Sequence, residues 1–167
     1  MKQNKKLLYI SESNFPNDSA NVIATLKMCS SFARFIDTDL LSLSCKDDFN
    51  KIKKDFLLKN RFRIIPFFKR PKKINLLVRL IILFKTIRKI NKENYHYIFT
   101  RSVFLSVFLS YLGHRNILEF HHPNTGITKF VFLIYKRLFK NKLQRFVFIN
   151  KNINKEFLIL SQPKIVL

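Results

Sequence analysis

Two adjacent histidines, His121 and His122, follow a short apolar run and precede a proline. Ile117, Leu118 and Phe120 in that run are typical of a buried strand. Ligands of open α/β sheets bind at the carboxyl ends of the strands, and the two histidines follow such an end. We therefore predict His121 and His122 as catalytic residues. The alternative interpretation is a pair of structural imidazoles with satisfied hydrogen bonds.

Two charged residues are predicted to line the same cleft. Glu119 precedes His121 by two positions, so both side chains lie on one side of a continuing strand. The carboxylate can then fix the tautomer of the imidazole. Arg101 follows another short strand, and a guanidinium at a strand end can clamp an anion. The alternative for Arg101 is a solvated loop residue.

A polar loop, residues 11–19 with the sequence SESNFPNDS, follows the first predicted strand. Its side chains are suited to binding a polar acceptor, and they are equally suited to forming turns and capping the next helix. Both interpretations stay open. The residues predicted to line an acceptor cleft are Ser13, Asn14, Phe15, Asn17 and Ser19.

The elements that must position these residues alternate along the chain. Strands are predicted at Lys6–Ile10, Asp39–Ser44, Arg61–Phe67, Tyr97–Thr100, Asn116–Phe120, Arg145–Asn150 and from Lys164 onward. Helices are predicted from about Ser19, over Lys46–Asn60, Ile74–Asn91, Ser102–Leu112, Gly126–Lys140 and Asn152–Leu160. This alternation predicts a doubly wound α/β fold, Rossmann-like, with a mostly parallel sheet of about seven strands and helices on both faces.

Length and hydrophobic content predict a single domain over residues 1–167. The chain has 167 residues, of which 47% are hydrophobic, enough for one substantial core. The last residues, 165–167, read as the start of an apolar strand, so we expect a chain that has been cut short.

Several classes of function are excluded by missing motifs. Gly113 and Gly126 are the only glycines, so neither a GxGxxG fingerprint nor a P-loop can be written. No metal-binding motif and no serine-hydrolase motif occurs, and we predict no metal site. Cys29 and Cys45 are predicted to be buried thiols in a reducing cytoplasm. The longest apolar run, Leu76–Phe84, is too short to cross a bilayer.

Positive charge dominates the chain, with 32 Lys and Arg against 10 Asp and Glu, a formal net charge of +22. Such an excess suits nucleic acid, an anionic membrane or a phosphorylated ligand. Four basic residues share one face of the long predicted helix, and we expect this face to lie opposite the sheet and to contact the inner face of an anionic membrane. The alternative is a solvated helix face. These residues are Lys85, Arg88, Lys89 and Lys92, which are preceded along the chain by Lys69, Arg70, Lys72 and Lys73. The apolar residues assigned to another face are Leu77, Leu80, Ile81, Phe84 and Ile87.

Four short motifs occur in a characteristic order and at strand ends. They are a loop from Ser13 to Ala20 that loosely fits SxxFPxxxA, YxYIFTRS at Tyr95–Ser102, ILEFHHP at Ile117–Pro123, and FVFINKNINKEF at Phe146–Phe157. Together they resemble the amino-terminal domain of GT-B glycosyltransferases of family 4, over nearly the whole chain.

The resemblance implies one half of an enzyme with two facing doubly wound domains. The amino-terminal half mainly binds a sugar or lipid-linked acceptor, and the carboxyl-terminal half binds a nucleotide-sugar donor. It further implies a retaining transfer in surface polysaccharide or glycolipid biosynthesis, with His121 or His122 near the transferred sugar. The glycine-rich form of the first loop is replaced here by residues 17–19, and the paired-glutamate motif of the second domain is absent. This half is therefore expected to be inactive alone and to bind no cofactor by itself.

A second class of function stays open. A non-catalytic basic α/β module that binds nucleic acid or an anionic surface accounts for the net charge of +22. No RRM, KH or helix-turn-helix pattern is present, however, and the polar residues at strand ends stay unexplained. Nucleic acid is therefore the less favoured partner.

Overall fold

The computed structural model describes residues 5–120 and 144–148. They form an α/β fold of the Rossmann-like type, with seven strands in a mostly parallel sheet and four helices, which confirms the predicted fold class. The strands are β1 Lys6–Ile10, β2 Asn14–Phe15, β3 Asp37–Cys45, β4 Arg63–Phe68, β5 Tyr97–Thr100, β6 Asn116–Phe120 and β7 Gln144–Phe148. The helices are α1 Ala20–Phe32, α2 Phe49–Asp55, α3 Leu76–Lys92 and α4 Val103–Tyr111.

The chain divides into two compact units, residues 1–98 and 99–167. In the first unit β3 pairs in parallel with β1, β2 and β4. Its core contains Leu8, Tyr9, Leu40 and Leu43, which are almost completely buried. Near-continuous burial along β1 and β3 is what a parallel sheet covered by other elements requires. Because the pairings are parallel, the loops that follow β1, β3 and β4 all leave from one edge.

Each helix of the first unit begins at a residue whose side chain caps it. Ser19 accepts from Val22 N at 3.4 Å, and Asn75 accepts from Val78 N at 2.9 Å. Asp48 accepts from the backbone nitrogens of the second and third helical residues of α2, at 2.7 and 3.0 Å. These contacts satisfy amide groups that a helix leaves without internal partners.

The long helix α3 lies where the sequence predicts it, but the face that packs against the rest of the unit is not the predicted one. Its buried residues are Ile82, Leu83, Thr86 and Ile90. Leu77 and Phe84, which were assigned to a face other than the basic one and hence to the side of the sheet, are 71% and 69% exposed. That assignment was wrong because this helix has apolar residues around most of its circumference, so periodicity does not select the face that packs.

In the second unit the last two residues of β5 pair in parallel with β6, β6 pairs in parallel with β7, and α4 begins at the cap Ser102. Asn116, at the start of β6, is buried and donates to the hydroxyl of Ser110 at 2.8 Å. Gly113 ends the α4 segment with φ at 87°, a conformation that favours glycine. Glycine is the usual residue at this position after a helix.

Several predicted elements lie outside the described residues: the helices Gly126–Lys140 and Asn152–Leu160 and the strand from Lys164. The expectation of a single domain also stays a prediction. None of the helices in residues 5–120 has the length and apolar character needed to cross a membrane. No group of three potential metal ligands lies together in the described parts of the chain.

Candidate functional site

The polar loop after β1 lies at the carboxyl edge of the first unit and is held from several sides. The Ser13 carbonyl accepts from Leu43 N at 2.9 Å, and the Phe15 carbonyl accepts from Lys46 N at 3.0 Å. The ring of Phe15 is buried, so it contributes to the core of the loop. The two-residue strand β2, absent from the sequence prediction, is the part of the loop that pairs with β3.

Asn14, one of the predicted lining residues, makes hydrogen bonds to two other segments of the chain. Its amide oxygen accepts from Ser44 Oγ at 2.8 Å and from Lys72 N at 3.3 Å. Its amide nitrogen donates to the Lys72 carbonyl at 3.1 Å. The Asn14 side chain therefore fastens the polar loop both to β3 and to the segment that follows β4.

Asn17 and Ser19 form the turn that starts α1. Asn17 Nδ2 donates to the Asn14 carbonyl at 2.7 Å, and Asn17 Oδ1 accepts from Ser19 N at 3.0 Å. Ser13 Oγ accepts from Asn21 Nδ2 at 3.4 Å. Turn and cap contacts therefore exist as the alternative interpretation expected, while Asn17 and Ser19 remain exposed at the edge. Whether these residues also line an acceptor cleft stays a prediction.

A basic segment, Lys69–Lys73, lies beside this loop. Its side chains are exposed, and the Lys72 backbone makes the contacts with Asn14 described above. A second link joins Glu12 of the loop to Arg79 of α3, with 3.4 Å between Glu12 Oε2 and Arg79 Nε. The contacts of Glu12 and Lys72 could not be predicted from the sequence, because each of them joins residues that are more than fifty positions apart.

In the second unit Arg101 and Glu119 form an ion pair directly after β5 and near the end of β6. Arg101 Nε lies 2.8 Å from Glu119 Oε2, and Arg101 Nη2 lies 3.3 Å from Glu119 Oε1. The register of the two strands explains the pair. Thr100 is the partner of Leu118, so the residues that follow them, Arg101 and Glu119, lie side by side. Their side chains are 15% and 4% exposed.

This pair bears on the roles predicted for Arg101 and Glu119, which stay predictions. Glu119 has a guanidinium as its partner, and Arg101 has its charge largely matched by a buried carboxylate. The Glu119 carboxylate would also repel an anion bound at Arg101, because the two negative charges would lie a short distance apart. Binding of an anion by Arg101 is therefore weakened. His121 and His122, the predicted catalytic residues, lie outside the described residues, so the proposed Glu119–His121 contact stays a prediction.

A third charged cluster, which the sequence analysis did not find, lies at the amino end of the strands in the first unit. Arg63 Nε donates to Asp39 Oδ1 at 2.9 Å, and Arg63 Nη2 donates to Glu93 Oε2 at 2.8 Å. Lys6 Nζ donates to the same Glu93 oxygen at 2.9 Å. Tyr95 donates to Asp39, and Lys89 donates to Glu93. The cluster contains both signs of charge and lies at the opposite end of the strands from the polar loop.

The pKa values in this cluster follow from its contacts. Hydrogen bonds from Lys89, and then from Lys6, hold the pKa of Glu93 well below its usual range. Burial, followed by the hydrogen bond to Asp39, raises the pKa of Tyr95 well above its usual range. Such a network keeps Glu93 ionised and Tyr95 neutral at physiological pH, which fits a structural role.

The fold is similar to part of a solved structure of a glycosyltransferase from Rickettsia africae ESF-5, with a TM-score of 0.63 and 15% sequence identity. The similarity covers 93% of this chain and 39% of that chain. The chain thus spans about two fifths of the length of that structure. At this level of identity the likeness shows the fold alone. No protein-family model and no curated protein matches the sequence.

Proposed function

We propose that the chain is the acceptor-binding half of a retaining glycosyltransferase that uses a nucleotide-sugar donor. One observation carries the proposal: nearly all of this chain follows the fold of a glycosyltransferase, and it corresponds to only 39% of that structure. The motif order at Ser13–Ala20, Tyr95–Ser102 and Ile117–Pro123 supports the same conclusion from the sequence. We place the activity in surface polysaccharide or glycolipid biosynthesis.

In this proposal the polar loop after β1 binds the acceptor. Ser13, Asn17 and Ser19 present hydroxyl and amide groups at the carboxyl edge of the first unit, where α/β folds bind ligands. Asn14 and Phe15 give the loop its fixed conformation through the contacts with Ser44, Lys72 and the core. A loop fixed in this way loses little conformational entropy when an acceptor binds.

The catalytic roles are assigned to His121 and His122, and the donor is assigned to a second domain. Transition-state stabilisation requires groups on both sides of the reacting sugar, held in position at the same time. The described residues provide no donor-phosphate cradle of the glycine-rich kind, since Gly113 is the only glycine among them. We therefore expect the 167-residue chain to bind acceptors without transferring sugar.

The test has two measurements on the purified 167-residue chain. The first is binding to an array of bacterial oligosaccharides and lipid-linked sugars, where retention of a defined group of glycans is expected. The second is incubation of the retained glycans with UDP-, GDP- and CMP-linked sugars, where no transfer is expected. Asn17→Ala should reduce glycan retention, and Asn50→Ala, an exposed change on α2, should not.

Two outcomes would contradict the proposal. Robust sugar transfer by the chain alone would show that it is a complete enzyme. Absence of glycan binding, together with a gel shift of DNA or RNA that weakens steeply with salt, would favour the basic nucleic-acid module instead.

A further inference from the structure

The outer face of α3 exposes a stripe of large apolar side chains. Leu77, Ile81 and Phe84 follow one another at helical spacing, and Leu76 lies beside them. Of the nine exposed large hydrophobic side chains in the described residues, four belong to this one helix. Single exposed apolar residues are normal on a protein surface, whereas a contiguous group marks a contact surface.

The same part of the chain is strongly basic. Residues 64–92 contain nine Lys and Arg and no Asp or Glu. Exposed basic side chains border the apolar stripe at both ends: Lys69, Arg70, Lys72 and Lys73 precede the helix, and Arg88 and Lys92 lie on its last two turns. We call the apolar stripe and these basic residues together the α3 surface.

The structure revises which charges are available to a partner. Lys89 donates to Glu93, and Lys85 Nζ donates to the Phe67 carbonyl at 2.6 Å and lies 4.8 Å from the centre of the Phe68 ring. Lys85 thus links α3 to β4, whereas Lys89 is paired with the residue that ends its own helix. The basic character of the α3 surface therefore depends mainly on the segment before the helix and on Arg88 and Lys92.

We propose that the α3 surface binds an anionic lipid bilayer, with Leu77, Ile81 and Phe84 in the interfacial layer and the basic residues at the lipid phosphates. A helix with an exposed apolar stripe and basic neighbours is the arrangement that lies in the plane of a membrane interface. Long basic side chains place their methylene groups along the apolar layer and their charges at the headgroups. This inference does not depend on the proposed glycosyl transfer.

Charge and apolarity together select the lipid surface over other partners. A second copy of the chain would bring two basic surfaces of the same sign together, which is unfavourable. Nucleic acid would match the charge but would leave the exposed Leu77, Ile81 and Phe84 in contact with a hydrated phosphate backbone. An anionic bilayer satisfies both features, and each basic residue near it strengthens binding by about fivefold.

The α3 surface also adjoins the polar loop. Lys72 is hydrogen-bonded to Asn14, and Arg79 is paired with Glu12, so the bilayer contact would hold the loop beside the lipid headgroups. If the proposed function is correct, the acceptor bound by that loop is lipid-linked. This last step, unlike the membrane contact itself, rests on the proposed function.

A tryptophan probe tests the apolar stripe directly. The chain contains no Trp, so Phe84→Trp introduces a single tryptophan on the α3 surface, which can be excited selectively over the tyrosines. Phe35→Trp is the matched control, because Phe35 is 81% exposed and lies outside α3. On adding phosphatidylcholine vesicles that contain phosphatidylglycerol, the emission of the Phe84→Trp chain should shift to shorter wavelength. The Phe35→Trp emission should stay unchanged.

Co-sedimentation with the same vesicles tests the charge. Changing Lys69, Arg70, Lys72 and Lys73 together to Gln should weaken binding by at least a hundredfold, given about fivefold for each residue. The matched control changes four exposed lysines elsewhere, Lys27, Lys53, Lys54 and Lys59, to Gln. It should retain most of the binding. A thermal melt of each variant confirms that it is folded.

The proposal would be overturned by equal binding to pure phosphatidylcholine vesicles and to vesicles with phosphatidylglycerol. It would also be overturned by the same emission shift from Phe35→Trp and Phe84→Trp, or by equal losses in the two quadruple variants. Salt-sensitive binding without any shift from Phe84→Trp would exclude insertion of the apolar stripe. A dimer that forms through α3 without lipid, detected as loss of dimer in Leu77→Ser/Phe84→Ser, would favour a second copy as the partner.

Discussion

Asn14 joins the polar loop to the basic segment through two hydrogen bonds with the backbone of Lys72, one donated and one accepted by the Asn14 side chain. The amide nitrogen of Asn14 donates to the Lys72 carbonyl at 3.1 Å, and its amide oxygen accepts from Lys72 N at 3.3 Å. Ser44 holds the same amide oxygen from β3. One side chain thus connects the predicted acceptor loop, a central strand and the segment that leads into α3.

Replacing this side chain should release the basic segment. Asn14→Ala removes both bonds to Lys72 and also the acceptor of the buried Ser44 hydroxyl, so the free energy of unfolding should fall by about 2–3 kcal/mol. Trypsin should also cleave the variant faster after Lys69, Lys72 and Lys73, because cleavage requires local opening of the segment. Mass spectrometry of the first fragments measures it. Asn50→Ala is the control, and equal cleavage in both variants would show that Asn14 does not hold the segment.

The charged cluster around Glu93 predicts a particular dependence of stability on pH. The pKa of Glu93 is lowered in the folded chain, first by Lys89 and then by Lys6. The ionised Glu93 side chain therefore stabilises the fold fully above the pKa that a glutamate has in the unfolded chain, about 4.3. This stabilisation is lost as the pH falls through the lower pKa of Glu93 in the folded chain. Glu93→Gln should reduce the free energy of unfolding by roughly 1–2 kcal/mol at pH 7, because the cluster is partly exposed.

The difference in the free energy of unfolding between the original chain and the Glu93→Gln variant should become smaller as the pH falls below about 4. Urea unfolding at a series of pH values gives this comparison. Asp18→Asn removes one negative charge from an exposed loop position and controls for the change in net charge. A stability difference that stays constant from pH 7 to pH 3 would contradict the assigned cause.

Local features of the fold could be predicted well from the sequence. The bounds of β1, β5 and β6 agree with the prediction, because each is a short apolar run between polar residues. Ser19 caps α1 as expected, and Gly113 ends α4 in a left-handed conformation. These signals are contained within a few neighbouring residues, so no knowledge of the tertiary structure is needed to detect them.

Long-range relationships could not be predicted in the same way. The pair Asp39–Arg63 and the contact Asn14–Lys72 depend on which strands and loops are neighbours. The buried face of α3 could not be chosen either, since both Phe84 and Ile82 are apolar and only the packing decides between them. For the candidate site, Arg101 and Glu119 were predicted as lining residues, and their pairing follows only from the register of β5 and β6.

Arg101 and Glu119 should behave as an energetically coupled pair. Glu119→Leu leaves a guanidinium that is 15% exposed without this carboxylate and should cost about 3 kcal/mol of unfolding free energy. The double change Arg101→Met/Glu119→Leu should recover most of that loss, because neither charge is then left buried. Urea unfolding of both single variants and the double variant gives the coupling energy. Strictly additive effects would show that the pair contributes no interaction of its own.

Two fully buried threonines should respond to the same substitution in opposite directions. The hydroxyl of Thr86 on α3 has no hydrogen-bond partner in the described structure, whereas Thr38 Oγ1 donates to the Ile36 carbonyl at 2.9 Å. Both side chains are almost completely inaccessible to solvent. Valine has nearly the shape of threonine but no hydroxyl, so each change isolates the contribution of one buried polar group.

Thr86→Val should therefore raise the free energy of unfolding by about 1 kcal/mol. The change removes a hydroxyl that loses its hydrogen bonds to water on folding and forms none with the described residues of the folded chain. Thr38→Val should lower it by about 1 kcal/mol, because it removes a formed hydrogen bond and leaves the Ile36 carbonyl without that donor. Urea unfolding of the two variants beside the original chain measures both signs. Destabilisation by Thr86→Val comparable to that by Thr38→Val would show that the Thr86 hydroxyl does have a partner, such as a buried water.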